Sequence, residues 1–237
     1  MSYTRQFRHE HKFLITPYDY YILLMRLKPV MPQDPNASEN GGYHVRSLYF
    51  DDVYDSALTQ KNAGIYEREK FRIRIYNKSD NVIKLERKYK NGNYISKEMT
   101  SLSREEYNSI IDGNTSFLAA SGNPLKKLFY SRIVQNISRP AVITDYFRDA
   151  LVYPLDEIRI TFDKKTSTVS GSFDIFDFEN HIEIPAEYYS AVVLEIKYNN
   201  FLPEFIRDML FTRASPLAVS KYVLCRMATE KYNLKRC

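Results

Sequence analysis

The chain has 237 residues, 44% hydrophobic and 27% charged, and its 34 lysines and arginines exceed 29 aspartates and glutamates by five charges. That is enough apolar material for a sizeable core, and it excludes a disordered chain. Two cysteines, Cys225 and Cys237, build neither a disulfide scaffold nor a Cys-based zinc site, and seven glycines include no P-loop and no dinucleotide fingerprint, so any phosphate must be held by side chains.

In chain order, apolar and polar residues alternate with period two over 7–14, the pattern of a half-buried strand. Thr16-Pro17 supplies an N-cap and an N1 proline for a helix ending near Leu27. Its apolar stretch, 20–25, is far shorter than the about 20 residues that cross a bilayer, so it reads as helix core. The polar segment 32–42 reads as a surface loop. Alternation returns over 44–50, 70–76, 82–89 and 94–100, with a hairpin loop at 76–81 and the strong turn signal Asn91-Gly92. Ser103-x-x-Glu106 is a capping box for a helix over 103–112, and Pro124 opens another to 137. Strands follow over 141–151, 157–163 and 191–198, and prolines open helices over 203–212 and 216–232. No linker or internal repeat interrupts the sequence, which reads as one domain, 1–237. Twenty tyrosines, fourteen phenylalanines and no tryptophan suit strand-rich structure. The expected fold class is α+β: an eight-stranded antiparallel β-barrel with flanking helices, closure removing the exposed edges. The start of the chain, Met1-Ser2-Tyr3-Thr4-Arg5, lacks an apolar signal core, and the expectation is a soluble cytoplasmic protein with no membrane segment of its own.

The strands carry unusual residues on one face. Arg8, Glu10 and Lys12 share a face, as do Lys70, Arg72 and Arg74, then Lys84, Glu86 and Lys88, and then Glu195 and Lys197. A solvated face explains any one of these strands. The set is harder to explain that way. Arg8, Lys12, Arg46, Arg72, Arg74, Lys88, Arg148, Arg159, Lys197 and Lys221 are ten cations against only Glu10, Glu86 and Glu195. Turned inward, such a set requires a polyanion to balance it, with the carboxylates available for a divalent cation. His9-Glu10-His11 places its two histidines opposite Glu10 on a strand and reads as structural. Cys225 reads as core. Cations alternating along strands, without a recognition motif, do not make a nucleic-acid surface.

These residues resemble the catalytic domain of the vacuolar transporter chaperone (VTC) polyphosphate polymerases, in the CYTH/triphosphate-tunnel superfamily. The resemblance runs from Phe7 to about Met227 through Arg8-x-Glu10-x-Lys12, Val45-Arg46-Ser47-Leu48-Tyr49-Phe50-Asp51, Arg72-Ile73-Arg74-x-Tyr76, Glu86-Arg87-Lys88 with Ser96-Lys97, Tyr146-x-Arg148-x-Ala150, Arg159-x-Thr161-x-Asp163, Glu195-x-Lys197 and Ser220-Lys221-Tyr222. It implies an eight-stranded basic tunnel that transfers the γ-phosphate of ATP to inorganic polyphosphate with Mn²⁺ or Mg²⁺. Lys12, Arg72, Arg74, Lys88 and Arg148 would then be catalytic. Arg8, Arg46, Lys97, Arg159, Lys197 and Lys221 would bind phosphate. Glu195 would hold the metal, with Glu10 and Glu86 as further candidates. Arg8 stands where hydrolases and cyclases of the superfamily carry glutamate, which moves the resemblance toward the VTC type. Leu217-Ala218-Val219 lacks a second cation that eukaryotic members carry. The chain resembles standalone bacterial members, without a regulatory SPX domain, and a membrane partner for product export is part of the expectation. A tripolyphosphate or nucleoside-triphosphate hydrolase on the same tunnel, and a non-catalytic polyphosphate-binding module, remain the alternatives.

Overall fold

Residues 9–38, 41–92, 94–210, 214–216 and 220–234 are described in a computed structural model. Strand β1 (His9–Ile15) leads into α1 (Pro17–Leu27), which begins as its sequence dictates. Thr16 Oγ1 accepts from the Asp19 N–H, the Asp19 carboxylate accepts from the Thr16 N–H, and Pro17 occupies a position that needs no amide donor. The chain continues through β2 (Tyr43–Asp51), α2 (Ser56–Asn62), β3 (Glu67–Tyr76), β4 (Ser79–Asn91) and β5 (Tyr94–Leu102). Three helices follow, α3 (Arg104–Ile111), α4 (Ser116–Ala120) and α5 (Pro124–Gln135). Then come β6 (Arg139–Tyr153), β7 (Ile158–Ser170), β8 (Ile182–Pro185), β9 (Val192–Tyr198), α6 (Glu204–Met209), β10 (Ser215–Pro216) and α7 (Lys221–Leu234).

All eight expected strands form. The structure adds β8 and β10, four and two residues long, too short to show a period. It also adds α2 and α4, neither of which has a side-chain cap to announce it. The first hairpin is tighter than its sequence suggested, and the second is displaced. Tyr76 pairs with Ser79, so Asn77 and Lys78 make a two-residue turn, both with positive φ. The Asn91-Gly92 turn is shifted by one residue, because Asn91 itself pairs with Tyr94. Gly92 takes φ +58°, and a Cβ there would collide with the Tyr66 ring.

Every ladder is antiparallel, and the single sheet runs β10-β1-β9-β7-β6-β2-β3-β4-β5, with β8 added to β7. Among the described residues no ladder joins β5 back to β1, so hydrogen bonds do not close the wall. The sheet nevertheless rolls round. Lys88 of β4 lies 3.5 Å from Glu10 of β1, six strands away along the sheet.

Rolling separates two faces. The outer face is apolar and covered by helices. Phe71, Ile73, Ile75 and Leu85 pack with Tyr107 of α3, Leu118 of α4 and Phe129 of α5. Leu194, Ile196, Ile160 and Phe162 pack with Leu23 and Leu27 of α1 and Ile206 of α6. Helix α7 behaves differently. Tyr222 to Cys225 pack on Tyr49 and Val142, which sit directly opposite one another, with Tyr49 also opposite Arg72. Residues opposite in a ladder share a face, so α7 covers part of the inner face at one end of the lumen.

Candidate functional site: a cation-lined lumen

Register places the inner residues. Arg72 lies opposite Glu86, Arg148 opposite Asp163, Lys12 opposite Glu195, and Lys197 opposite both Glu10 and Arg159. The lumen therefore collects Lys12, Arg72, Arg74, Lys88, Lys97, Arg148, Lys197 and Lys221 around Glu10, Glu86 and Glu195.

Three buried carboxylates organise the cations. Glu86, 2% exposed, receives Arg72 through Nε at 2.6 Å, Lys97 at 2.7 Å and Arg74 at 4.0 Å. Arg72 also donates to the Tyr49 hydroxyl at 2.7 Å, and Arg74 to Ser47 Oγ at 2.9 Å. Asp163, 1% exposed, accepts two bonds from Arg148 at 2.6 and 2.8 Å and pairs with Lys221 at 2.5 Å. Glu195 pairs with Lys197 at 3.0 Å, and with Lys12 and Arg148 at 3.6 Å each. Lys12 also pairs with Glu10 at 2.8 Å.

Burial disfavours charge in all of these groups, and the opposite charges more than offset it at the carboxylates. Arg72, Arg74 and Lys97 hold Glu86 far below the usual carboxylate range. Arg148 and Lys221 hold Asp163 down to about 2. Lys197, Lys12 and Arg148 hold Glu195 well below its ordinary value. Lys12, between Glu195 and Glu10, is raised despite burial. At three lysines burial outweighs the carboxylates: it lowers Lys97 to about 8, against Glu86 and with the help of Arg72 and Arg74, and it also lowers Lys88 and Lys197. The lumen thus holds more positive charge than it can neutralise.

A lysine whose folded pKa lies below its unfolded value binds fewer protons when folded, so stability rises with pH between the two values. For Lys97 that window runs from about 8 to the ordinary 10.5. The denaturation midpoint of the ligand-free protein is expected to rise between about pH 7.5 and about pH 9.5. A midpoint that falls over this range would contradict the lowered lysines.

One of the anticipated ligands is elsewhere. Arg46 belongs to the outer face, because period two sets it against the inward Val45 and Ser47. It is 3% exposed, bonded to Asp145 at 2.6 Å and the Asp177 carbonyl at 3.0 Å, and stacked on Phe178. It has no access to a lumen anion. Arg8 lies outside the described residues. Arg159 is on the inner face but engaged by Asp34 and by the Tyr43 hydroxyl at 2.7 Å. His9 and His11 stack with Tyr198 on the other side of β1, as a structural reading requires. Cys225 is fully buried, its thiol 3.3 Å from the Ser167 carbonyl. The alternation put Lys70 on the face of Arg72 and Arg74 without singling it out as a site residue, and it gave no role to Tyr49 or to Asp163 as the anchor of Arg148 and Lys221. Asp163 shares the period-two face of Arg159 and Thr161, the signal that could have placed it.

Among the described residues no three His, Cys, Asp or Glu side chains group to hold a metal. The lumen still fits a hard divalent cation shared with substrate. Glu195 and Glu10 offer carboxylate oxygens on either side of Lys12, and Thr161, opposite Glu195, has a buried hydroxyl with no hydrogen-bond partner. Mg²⁺ is typically bound by one or two carboxylates, with substrate phosphates and water completing its shell.

The site is the cation-rich interior of a curled antiparallel sheet. The chain belongs to the VTC domain family, whose model matches residues 7–229. No curated protein matches it. Among solved structures it is similar to a putative adenylate cyclase from Bacillus halodurans, at 14% identity and TM-score 0.49, covering 81% of this chain and 80% of that one. It is also similar to a protein of Pyrococcus horikoshii OT3, at 9% identity and TM-score 0.45, covering 98% and 100%, and to a conserved hypothetical protein from Pyrococcus furiosus, at 13% identity and TM-score 0.45, covering 92% and 99%. No helix among the described residues is long and apolar enough to cross a membrane.

Proposed function

We propose that this chain is a polyphosphate polymerase that transfers the γ-phosphate of ATP to a growing inorganic polyphosphate chain within the lumen. The observation that carries this reading is the surplus of inward cations over the four lumen carboxylates Glu10, Glu86, Asp163 and Glu195, a charge pattern that an extended polyanion balances. Phosphoryl transfer asks little covalent chemistry of a protein; positioning and charge stabilisation suffice. Glu86 and Asp163 hold the guanidiniums of Arg72 and Arg148 in place, and their remaining N–H groups would serve nonbridging oxygens. Arg74, Lys12, Lys88, Lys97, Lys197 and Lys221 supply the remaining positive charge. The nucleophile, a terminal phosphate, is already an oxyanion and needs no general base. Mn²⁺ or Mg²⁺, held at Glu195 with Glu10 nearby, would neutralise triphosphate charge as a Lewis acid.

One observation favours the hydrolase reading instead. Helix α7 covers part of one end of the lumen, and a short triphosphate needs only one open end, whereas a polymer must leave. Incubation with ATP and Mn²⁺, followed by electrophoresis, separates the readings. Long-chain product supports the polymerase, free phosphate without polymer supports hydrolysis, and no turnover with retained polyphosphate binding leaves a binding module.

A further inference from the structure

Beyond the Arg72–Glu86 row, the cations of β3, β4 and β5 continue without carboxylates beside them in the ladder. Lys70 lies opposite Lys88 and Lys88 opposite Lys97, and one row further Arg68 lies opposite Lys90. Like charges directly opposite destabilise a ladder. Residues two apart are about 7 Å apart along a strand, so these rows prolong the lumen by about 14 Å toward the Asn91 hairpin. The glutamates of this stretch face outward, Glu67 to the Tyr89 hydroxyl and Glu69 to Arg87 and Arg132.

Lys70 is the singular member. Its Nζ is buried with no hydrogen-bond partner, 4.2 Å above the Tyr222 ring of α7. The charged groups facing it are Lys61 of α2, Arg68 of β3, Lys88 of β4 and Asp51 of β2. Asp51 is already engaged by the amides of Ala57 and Leu58 and by the Tyr222 hydroxyl, with Arg226 of α7 3.9 Å away. An amine in this position lacks an anion. We propose that Lys70 is a ligand for the phosphates of a chain that extends past the Arg72–Glu86 centre, and that it takes up a proton when such a chain binds. The proposal rests on reading the lumen as a polyphosphate path, and it makes Lys70 a determinant of chain-length preference.

Burial, with the nearby cations, lowers the free amine to about 7. A phosphate oxygen on Nζ favours the charged form, so uptake is greatest above about pH 7 and below the value in the complex. Calorimetry at about pH 8.5, in two buffers of different ionisation enthalpy, counts the protons. Inorganic triphosphate and a polyphosphate of a few tens of units are the two probes. Wild type is expected to take up close to one more proton with the long chain than with triphosphate, and the difference should vanish near pH 6, where the amine is already charged. Lys70→Met should lose the extra proton and about tenfold of the long-chain to triphosphate affinity ratio. Lys70→Arg, permanently charged, should lose the proton uptake and keep most of that ratio, which decides the matter even if the methionine variant fails to fold. Equal uptake for the two anions in wild type, or extra uptake that survives in either variant, overturns the proposal. If triphosphate binds and chain length makes no difference, this inference alone fails. If neither anion binds, the polyphosphate reading fails with it.

Discussion

Arg72→Ala is expected to reduce phosphoryl transfer by on the order of a thousandfold or more, the scale at which a transition-state arginine acts. Arg72 is held on both sides, by Glu86 at 2.6 Å and by the Tyr49 hydroxyl at 2.7 Å, so its fork is fixed before substrate arrives. Preorganised charge of this kind costs no rearrangement at the moment of transfer. Alanine removes the fork and also leaves the buried Glu86 with only Lys97 close and Arg74 at 4.0 Å. Arg72→Lys should recover little, because a point charge cannot make the two-pronged contact. Turnover measured beside thermal unfolding separates chemistry from folding. A folded alanine variant within tenfold of wild type would remove Arg72 from the transfer.

Glu195→Gln is expected to lower metal-dependent turnover by about a hundredfold or more and to move the Mn²⁺ midpoint upward, while triphosphate still binds through the cations. Glutamine keeps the shape and removes the charge and the hard carboxylate ligand. The competing role is visible in the geometry: Lys197, Lys12 and Arg148 lie 3.0 to 3.6 Å from Glu195, enough to make it a simple counter-ion. A counter-ion, once neutralised, would leave surplus positive charge, tighter triphosphate binding and an unchanged metal dependence. Titrating Mn²⁺ against rate in both proteins discriminates. An unaltered midpoint and rate would refute the ligand role.

Much of the lumen was legible in the sequence because strand alternation is a local property. Side chains two apart share a face whatever the strand pairs with, so Arg72 with Arg74, and Glu195 with Lys197, are inward together, and Phe71, Ile73 and Ile75 are outward together. The same rule, applied strictly, separates Arg46 from the lumen; only its place within a familiar motif argued otherwise. Helix starts were equally local, since Thr16 and Ser103 need partners just three residues away.

Tertiary structure decided everything that depends on which strands meet. That Lys88 reaches Glu10, 78 residues distant, follows from the roll of the whole sheet. That Asp163 joins Arg148 to Lys221 needs α7 brought back onto the inner face. Lys70 reads in sequence as one more strand lysine. Its amine is left without a partner because Tyr222 of α7 covers it and Asp51 is bonded elsewhere. Period fixes a face but not its environment: the pKa of a buried charge is set by the partners and dielectric around it, and those come from chain segments that alternation along one strand cannot see.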